Sequence, residues 1–489
     1  MRETEVDGVP VLWADVPGPL IATLLFGCGV RDETFRTIGV THLVEHLAMS
    51  ALPQVHYERN AAVNLADTWF LAAGRPEHVV EFLGGLCDAL GALPMDALAR
   101  EAGVLAAEGA RVPHSTEAVL LSHRYGTAGP GLVAWDGPGY DRLTKEHVAD
   151  HARRYFVRGN AVLTLTGPPP EGLRLPLPDG PAPEHAEPSV LSWQGPRYAT
   201  EPIAAPGLAL SGPTADPVVA TAHGVLRERL LTTARHELGT SCEVGGTSVL
   251  VTPDRGERIV WLDPREGQQD GAAELLWETA VDLAEHGPTE AELAHDVAGL
   301  RHAVEHPYFP VAQIDRDARA RLLGLPHRTA EQLVAEAEAV TAADVTGHLE
   351  EALGTALVVI GEESRAALTA PGGQPVCRGG CPRLAEPPTG GRTVRPNRVA
   401  RVLNRQLRTT RIVLDGAGLA YVDPEGDAHD VRFADVVGVQ SDEDGRTLFT
   451  RHGCVVPVWR SLWGGAQAVI DAVDRHVPDE LHYEPTGLR

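Results

Sequence analysis

Two stretches of the chain follow one plan, and that repetition limits the fold more than any other feature. In the first, the apolar runs VPVLWADV and PLIATLLFGCGV read as strands. Helical periodicity comes next in VTHLVEHLAMSA, HVVEFLGGLCDALGAL, MDALAREAGVLAAEGA and TKEHVADHARRYF, the last capped by Thr144. The strand NAVLTLTG closes the unit. In the second, the helix ATAHGVLRERLLTTARHELG precedes the strands SVLVTP and ERIVWLD. Long helices then run through DGAAELLWETAVDLAEHG and TEAELAHDVAGLRHAVE, and ALVVIG closes the unit. Strands and helices mixed in this way, twice over, predict two tandem homologous α+β domains, residues 1–195 and 196–365. A chain of 489 residues is in any case too long for a single core.

The remainder of the chain differs in style. Residues 366–395 are rich in Gly, Pro and Ala and read as a linker. Residues 396–489 show short strands (RIVLDGAGLAYVD, HDVRFADVVGVQS, GRTLFTRH, GCVVPVW) punctuated by turns, then one helix, SLWGGAQAVIDAVDRHV. That pattern predicts a small β-barrel-like domain plugged by its C-terminal helix.

Charge and cysteine usage narrow the function. Lys and Arg number 42 against 67 Asp and Glu, a net charge of −25. So acidic a chain is a poor ligand for nucleic acid, whose phosphates need a basic surface, and it is expected to be repelled by anionic lipid. No run of 18 apolar residues is present, and the N-terminus lacks the pattern of a secretory signal. Six Cys are too few for a disulfide framework, so Cys377 and Cys381 are read as plain linker cysteines and the compartment as the cytoplasm.

The chemistry is concentrated in His42-Leu43-Val44-Glu45-His46, an H-x-x-E-H pattern. Residues four apart share one helix face, so His42 and His46 can grip one ion. Glu45 faces the same side and can reach a water without being a ligand. Catalytic zinc takes three protein ligands, so a third is needed. Glu101 and Glu108 are seven apart, two helical turns, and share a face; one can bind metal while the other orients a histidine. A five-residue pattern alone arises by chance in a chain with 21 His, and an exposed amphipathic helix would look the same. The downstream Glu pair is what favours a metal site.

These segments resemble the insulinase/pitrilysin metallopeptidases, of the small bacterial processing-peptidase type. GVTHLVEHLAMS is similar to that family's motif helix, and REAGVLAAE to its third-ligand helix. The resemblance implies Zn2+, one per chain, on His42, His46 and Glu108, with Glu45 as general base and Glu101 behind the ligands. ERNAAVNLADTWF resembles the family's edge strand, which implies that Asn60 and Ala61 receive substrate as an added strand. LTKEHVADHARRYFVRGNAVLTLTG, ARHELGTSCEV, HGPTEAELAHDVAGL and VTAADVTGHLEE carry the likeness through residue 365. The C-terminal segment resembles, in style alone, a pleckstrin-homology-like domain, an accessory or docking module.

The chain also departs from the family. His46 and Glu108 are 108 − 46 = 62 positions apart, shorter than usual, with the shortening around Leu52–Val55. Arg235 matches a substrate-contacting Arg of the family's second domain, although an ordinary helix-end cation fits it equally. Cys242 stands where a Tyr belongs. A thiol is a weak donor, and losing a donor to the tetrahedral intermediate costs about 3 kcal/mol. The expected activity is hydrolysis of peptides or short unfolded segments, as in peptide maturation or leader removal. The alternative is a weakly active or non-catalytic peptide-binding subunit. Family members of this length enclose substrate against a second subunit or between their own two domains. With Cys242 in place of the Tyr, a dimer is expected, a heterodimer with a homologous chain being favoured over a homodimer or monomer.

Overall fold

The computed structural model describes residues 1–108, 114–191, 193–386 and 388–485. The first unit is built from strands β1 (Arg2–Val6), β2 (Val9–Trp13), β3 (Leu20–Phe26), β4 (Glu58–Val63), β5 (Thr68–Gly74) and β6 (Ala161–Leu165). Its helices are α1 (Val40–Ser50), α2 (Pro76–Gly91), α3 (Leu98–Glu108), α4 (Ser115–Tyr125) and α5 (Lys145–Tyr155). The second contains β7 (Arg197–Glu201), β8 (Gly207–Gly212), β9 (Ser241–Thr252), β10 (Arg255–Pro264), β11 (Leu357–Gly361) and β12 (Cys377–Arg378). Its helices are α6 (Pro217–Leu230), α7 (Gln269–His286), α8 (Glu290–Glu305), α9 (Phe309–Leu322), α10 (Ala330–Ala339) and α11 (Ala342–Leu353).

The two sheets repeat one strand order. The first runs β1-β2-β6-β3-β5-β4 and the second β12-β7-β11-β8-β10-β9. Setting β1 and β12 aside, each sheet pairs its first and last strands in parallel and the others antiparallel. The fold is α+β, as the alternating pattern predicts. β4 lies at the open edge of its sheet, and β9 at the corresponding edge of the other.

Each sheet has two apolar faces, because strands such as β6 are buried along their whole length. One face of the first sheet is covered by its own helices: Val40, Leu43, Val44 and Leu47 of α1 join Phe82, Leu83 and Leu86 of α2 in one core. The other face is covered by α9 from the second unit, where Ala318 and Leu322 meet Leu12, Leu25 and Val162. The exchange is mutual. Leu120, Leu121 and Tyr125 of α4 pack on the second sheet against Ala209, Ile259 and Val359.

A buried polar cluster accompanies α4 into that sheet. The Tyr125 hydroxyl donates to Glu257 Oε1 at 2.6 Å, Ser211 Oγ donates to Oε2 at 2.8 Å, and Arg255 Nη2 lies 3.3 Å from Oε1. Arg124 Nε is 3.7 Å from Glu257 Oε2, while its Nη1 donates to the Thr355 carbonyl. A carboxylate with no exposed surface persists because these partners satisfy it. α1 has a polar footing too. His151 of α5 sits beneath it, with Nε2 2.9 Å from Thr41 Oγ1 and 3.4 Å from Cys28 Sγ. Burial pulls the His151 imidazole down to about 4, so it is neutral in the folded chain.

The last region is two open sheets rather than the barrel-like domain expected. A six-stranded sheet includes Arg392–Pro396, Arg411–Leu414 and Gly418–Val422, and a four-stranded one includes Val436–Ser441, Gly445–Thr450 and Val455–Trp459. Helices α12 (Arg398–Leu403) and α13 (Ala466–His476) belong to this region. Val469, Ile470 and Val473 of α13 fill the core with Val439, Leu448 and Val458. Residues 366–395, read as a linker, are built into the structure on both sides. Leu368 and Val376 join the second core, β12 pairs with β7, and Arg383–Leu384 pairs with Ala428–Arg432. Cys381 is also more than a linker thiol, because it forms a disulfide with Cys454. The two are 73 positions apart, a separation that composition does not reveal. The region rests on the first unit through Phe449, whose ring lies 5.1 Å from Phe35, and through Thr127 N–H, which donates to the Arg451 carbonyl. No helix among the described residues is long and apolar enough to cross a membrane.

The buried groups yield two predictions. Glu257→Gln leaves Arg124 and Arg255 without their carboxylate and should lower unfolding free energy by about 3 kcal/mol or more, read from the denaturant midpoint. An unchanged midpoint would mean that the cluster does not hold α4. For His151, the unfolded imidazole titrates near 6.5 and the folded one at about 4. Between these values the unfolded state binds the extra proton, so this contribution is full above about 6.5 and is lost as pH falls toward 4. His151→Gln should therefore flatten the stability profile in that window relative to the unsubstituted chain. Parallel profiles would contradict it.

Candidate metal centre

The site grows out of the start of α1. Gly39 precedes the helix at φ 87° with no side-chain cap, and a Cβ there would come within 2.3 Å of the Tyr140 ring. Capping falls instead to Glu33, six residues upstream. Its Oε2 accepts Gly39 N–H at 2.8 Å and its Oε1 accepts Thr41 N–H at 2.9 Å. Burial nonetheless lifts the Glu33 carboxyl to about 7. Sequence reasoning missed this residue, since no capping pattern places a cap seven positions ahead of its helix.

With its apolar stripe in the core, α1 turns His42 and His46 to the opposite side, both partly exposed. Their ring centroids are 4.9 Å apart. Glu45 is almost fully buried between them, with Oε2 3.5 Å from His42 Nε2 and 3.9 Å from His46 Nε2. Helix α3 lies across α1 and brings both of its acids. Glu108 Oε2 is 3.7 Å from His46 Nε2, and Glu101 Oε2 is 3.5 Å from His46 Nδ1. Arg100 donates to Glu101 Oε1 at 2.9 Å and so steadies that carboxylate.

The two nitrogens of His46 therefore have separate neighbours. Nε2 faces Glu108 and Glu45, while Nδ1 faces Glu101. That is the arrangement in which an acid behind the ring orients it and leaves Nε2 to bind a metal. One donor atom each from His42, His46 and Glu108 falls within 4.8 Å of the others. Donors set at about 2.0–2.2 Å from a shared tetrahedral centre would be about 3.4 Å apart, so this set fits a zinc ion after small side-chain shifts. The donor chemistry, two imidazoles and a carboxylate, also suits zinc. Three carboxylates within 4 Å of one histidine need positive charge nearby to offset their mutual repulsion.

The remaining expected site residues lie on other elements. Asn60 and Ala61 lie on β4, the edge strand packed beside α1, with Asn60 exposed and Ala61 buried. Asn60 Oδ1 accepts Ala61 N–H at 2.9 Å. Residues 51–57, which include Leu52–Val55, lead directly from α1 to β4. Arg235 is exposed on a π-helical turn, Leu231–Glu237, that continues α6, and Cys242 is exposed near the start of β9. The sequence predicts one unbroken helix through residue 239, so the π-helical turn is a departure. A cavity of about 1080 Å³ lies along α6, lined by Thr221, His223, Arg227 and Asp296. It has no counterpart of the two-histidine cluster among the described residues.

No family model and no curated protein matches the sequence. Solved structures do match the fold. A chain of complex III2 from Candida albicans is 16% identical with a TM-score of 0.60, covering 73% of this chain and 94% of that one. The inactive domain of a peptidase M16 from Pseudomonas fluorescens is 18% identical with a TM-score of 0.55, covering 75% and 98%. Pitrilysin is 15% identical with a TM-score of 0.57, covering 74% of this chain and 45% of its own. At such identities the likeness speaks for fold alone, and on that ground the chain has the fold of the pitrilysin-like M16 peptidases.

Proposed function

We propose that the chain is a zinc metalloendopeptidase of the insulinase/pitrilysin kind, cutting peptides or short unfolded segments. The observation that carries this is the convergence of His42, His46 and Glu108, with Glu45 beside them and Glu101 behind His46. A zinc ion held by those three would supply Lewis acidity toward a water and the scissile carbonyl. Glu45 is placed to take the proton from the attacking water and deliver it to the leaving amine. The β4 edge at Asn60 and Ala61 would align an extended peptide as a further strand, which suits unfolded substrates such as a leader awaiting removal. In this reading residues 1–195 form the catalytic domain, 196–365 its metal-free partner, and 396–489 a pleckstrin-homology-like accessory module. A peptide as the main partner belongs to the same reading, and nucleic acid does not. The cytoplasmic setting expected from the sparse cysteines runs against the Cys381–Cys454 disulfide, a bond that a reducing compartment disfavours.

A second reading is a weakly active or non-catalytic subunit that binds peptide for a homologous partner. Two observations favour it. The resemblance puts Cys242 where the family has an assisting Tyr, and the matching folds include an inactive M16 domain and a complex III chain.

Glu45→Gln separates the readings. The catalytic one expects about one zinc per chain to remain by metal analysis, while peptide hydrolysis falls about 10²–10⁴-fold. Hydrolysis that survives the substitution, or that ignores a chelator, would refute it. A heterodimer is the partner arrangement we infer from Cys242. Cys242→Tyr should then raise kcat/KM of the isolated chain by about 10²-fold and lessen its dependence on an added homologue. Fast cleavage by the unsubstituted chain alone, unaffected by the homologue, would dismiss that arrangement.

A further inference from the structure

The net charge of −25 is not spread evenly. Residues 392–411 (RTVRPNRVARVLNRQLRTTR) hold seven arginines and no acid, so the rest of the chain carries 35 − 67 = −32. Arginines close by behave differently. Arg378, Arg383 and Arg432 each lie within 4 Å of a carboxylate. Among the described residues none of the seven does, and Arg401 Nε is buried with no hydrogen-bond partner at all. A cluster of cations without internal counter-ions raises the local potential and favours an external anion.

The same segment exposes apolar side chains. Val399, Val402 and Leu403 on α12 are 67%, 74% and 82% exposed. Their spacing of three and four places them on one helix face. They are not residues missing from a core, because Val394 and Ile412 on the flanking strands already fill it. Nor is the ridge a loose end. Asn397 accepts Ala400 N–H at the helix start and donates through Nδ2 to the Ser461 carbonyl. Beyond the helix, Thr409 Oγ1 donates to the Pro424 carbonyl at 2.7 Å. The fold therefore holds an apolar edge outward, flanked by Arg398, Arg405 and Arg408, all exposed.

We propose that this ridge docks the protein on an anionic lipid bilayer. Aliphatic side chains entering the interface, with guanidinium groups at headgroup level, is the pattern of a helix that lies on a membrane. No spanning segment is required, and none is found among the described residues. The global charge argues for repulsion from such a surface, but at physiological salt charges farther away than about 8 Å are screened. The ridge meets the bilayer first, so its own sign decides.

The test uses the full chain and sedimentation with vesicles of phosphatidylcholine alone or mixed with phosphatidylglycerol. Binding should occur to the mixed vesicles and not the neutral ones, and raising salt to about 1 M should abolish it. Arg398→Glu, Arg405→Glu and Arg408→Glu together should weaken binding at least about 100-fold, since each arginine near such a surface contributes about fivefold. Val402→Asp with Leu403→Asp should also release the protein. Both variants should melt at the temperature of the unsubstituted chain, because the side chains concerned are exposed. The proposal fails if the unsubstituted chain stays in the supernatant with mixed vesicles, as a ridge serving an acidic protein partner would require. It fails equally if the neutral vesicles bind as well, or if either variant binds undiminished.

Discussion

A sheet that is apolar on both faces must be covered twice, and each unit of this protein covers only one of its faces. The remaining layer comes from the other unit: α9 on the first sheet, α4 on the second. Neither sheet is complete without its neighbour's helix, so the two halves are parts of one packing problem. The Glu257 cluster shows what that exchange asks of polar groups. Tyr125 and Arg124 travel with α4 into the second sheet, and their hydrogen bonds and charge must be satisfied there.

The candidate centre inherits its geometry from that packing. The core fixes one face of α1, Glu33 fixes its start, and His151 props it from below. With three sides settled, the imidazoles of His42 and His46 have only the fourth side to occupy, where α3 presents Glu101 and Glu108. Precision in such a site comes from supports that never touch a substrate.

The sequence shows plainly the parts whose signal is local. H-x-x-E-H is one helical turn, the Glu101–Glu108 spacing is two, and both translate directly into faces. The strand-and-helix rhythm of both units is equally legible. The features it conceals depend on distance along the chain. Glu33 caps across a loop, Cys381 meets Cys454 over 73 positions, and the short strands of residues 366–395 form only because two sheets flank them. The roles of α4 and α9 are hidden for a related reason: their partners lie in the opposite unit, where no local pattern announces them. Net charge misleads in another way, since a total over 489 residues hides a basic segment of twenty.

The exchanged helices bear on how a molecule could enter. Swinging the two units apart like a clamshell would strip α9 from one sheet and α4 from the other, exposing Leu25, Val162, Leu120 and Ile259 to water. Opening on that hinge is therefore steeply uphill. The two halves are held in one fixed relation by the same contacts that fill their cores.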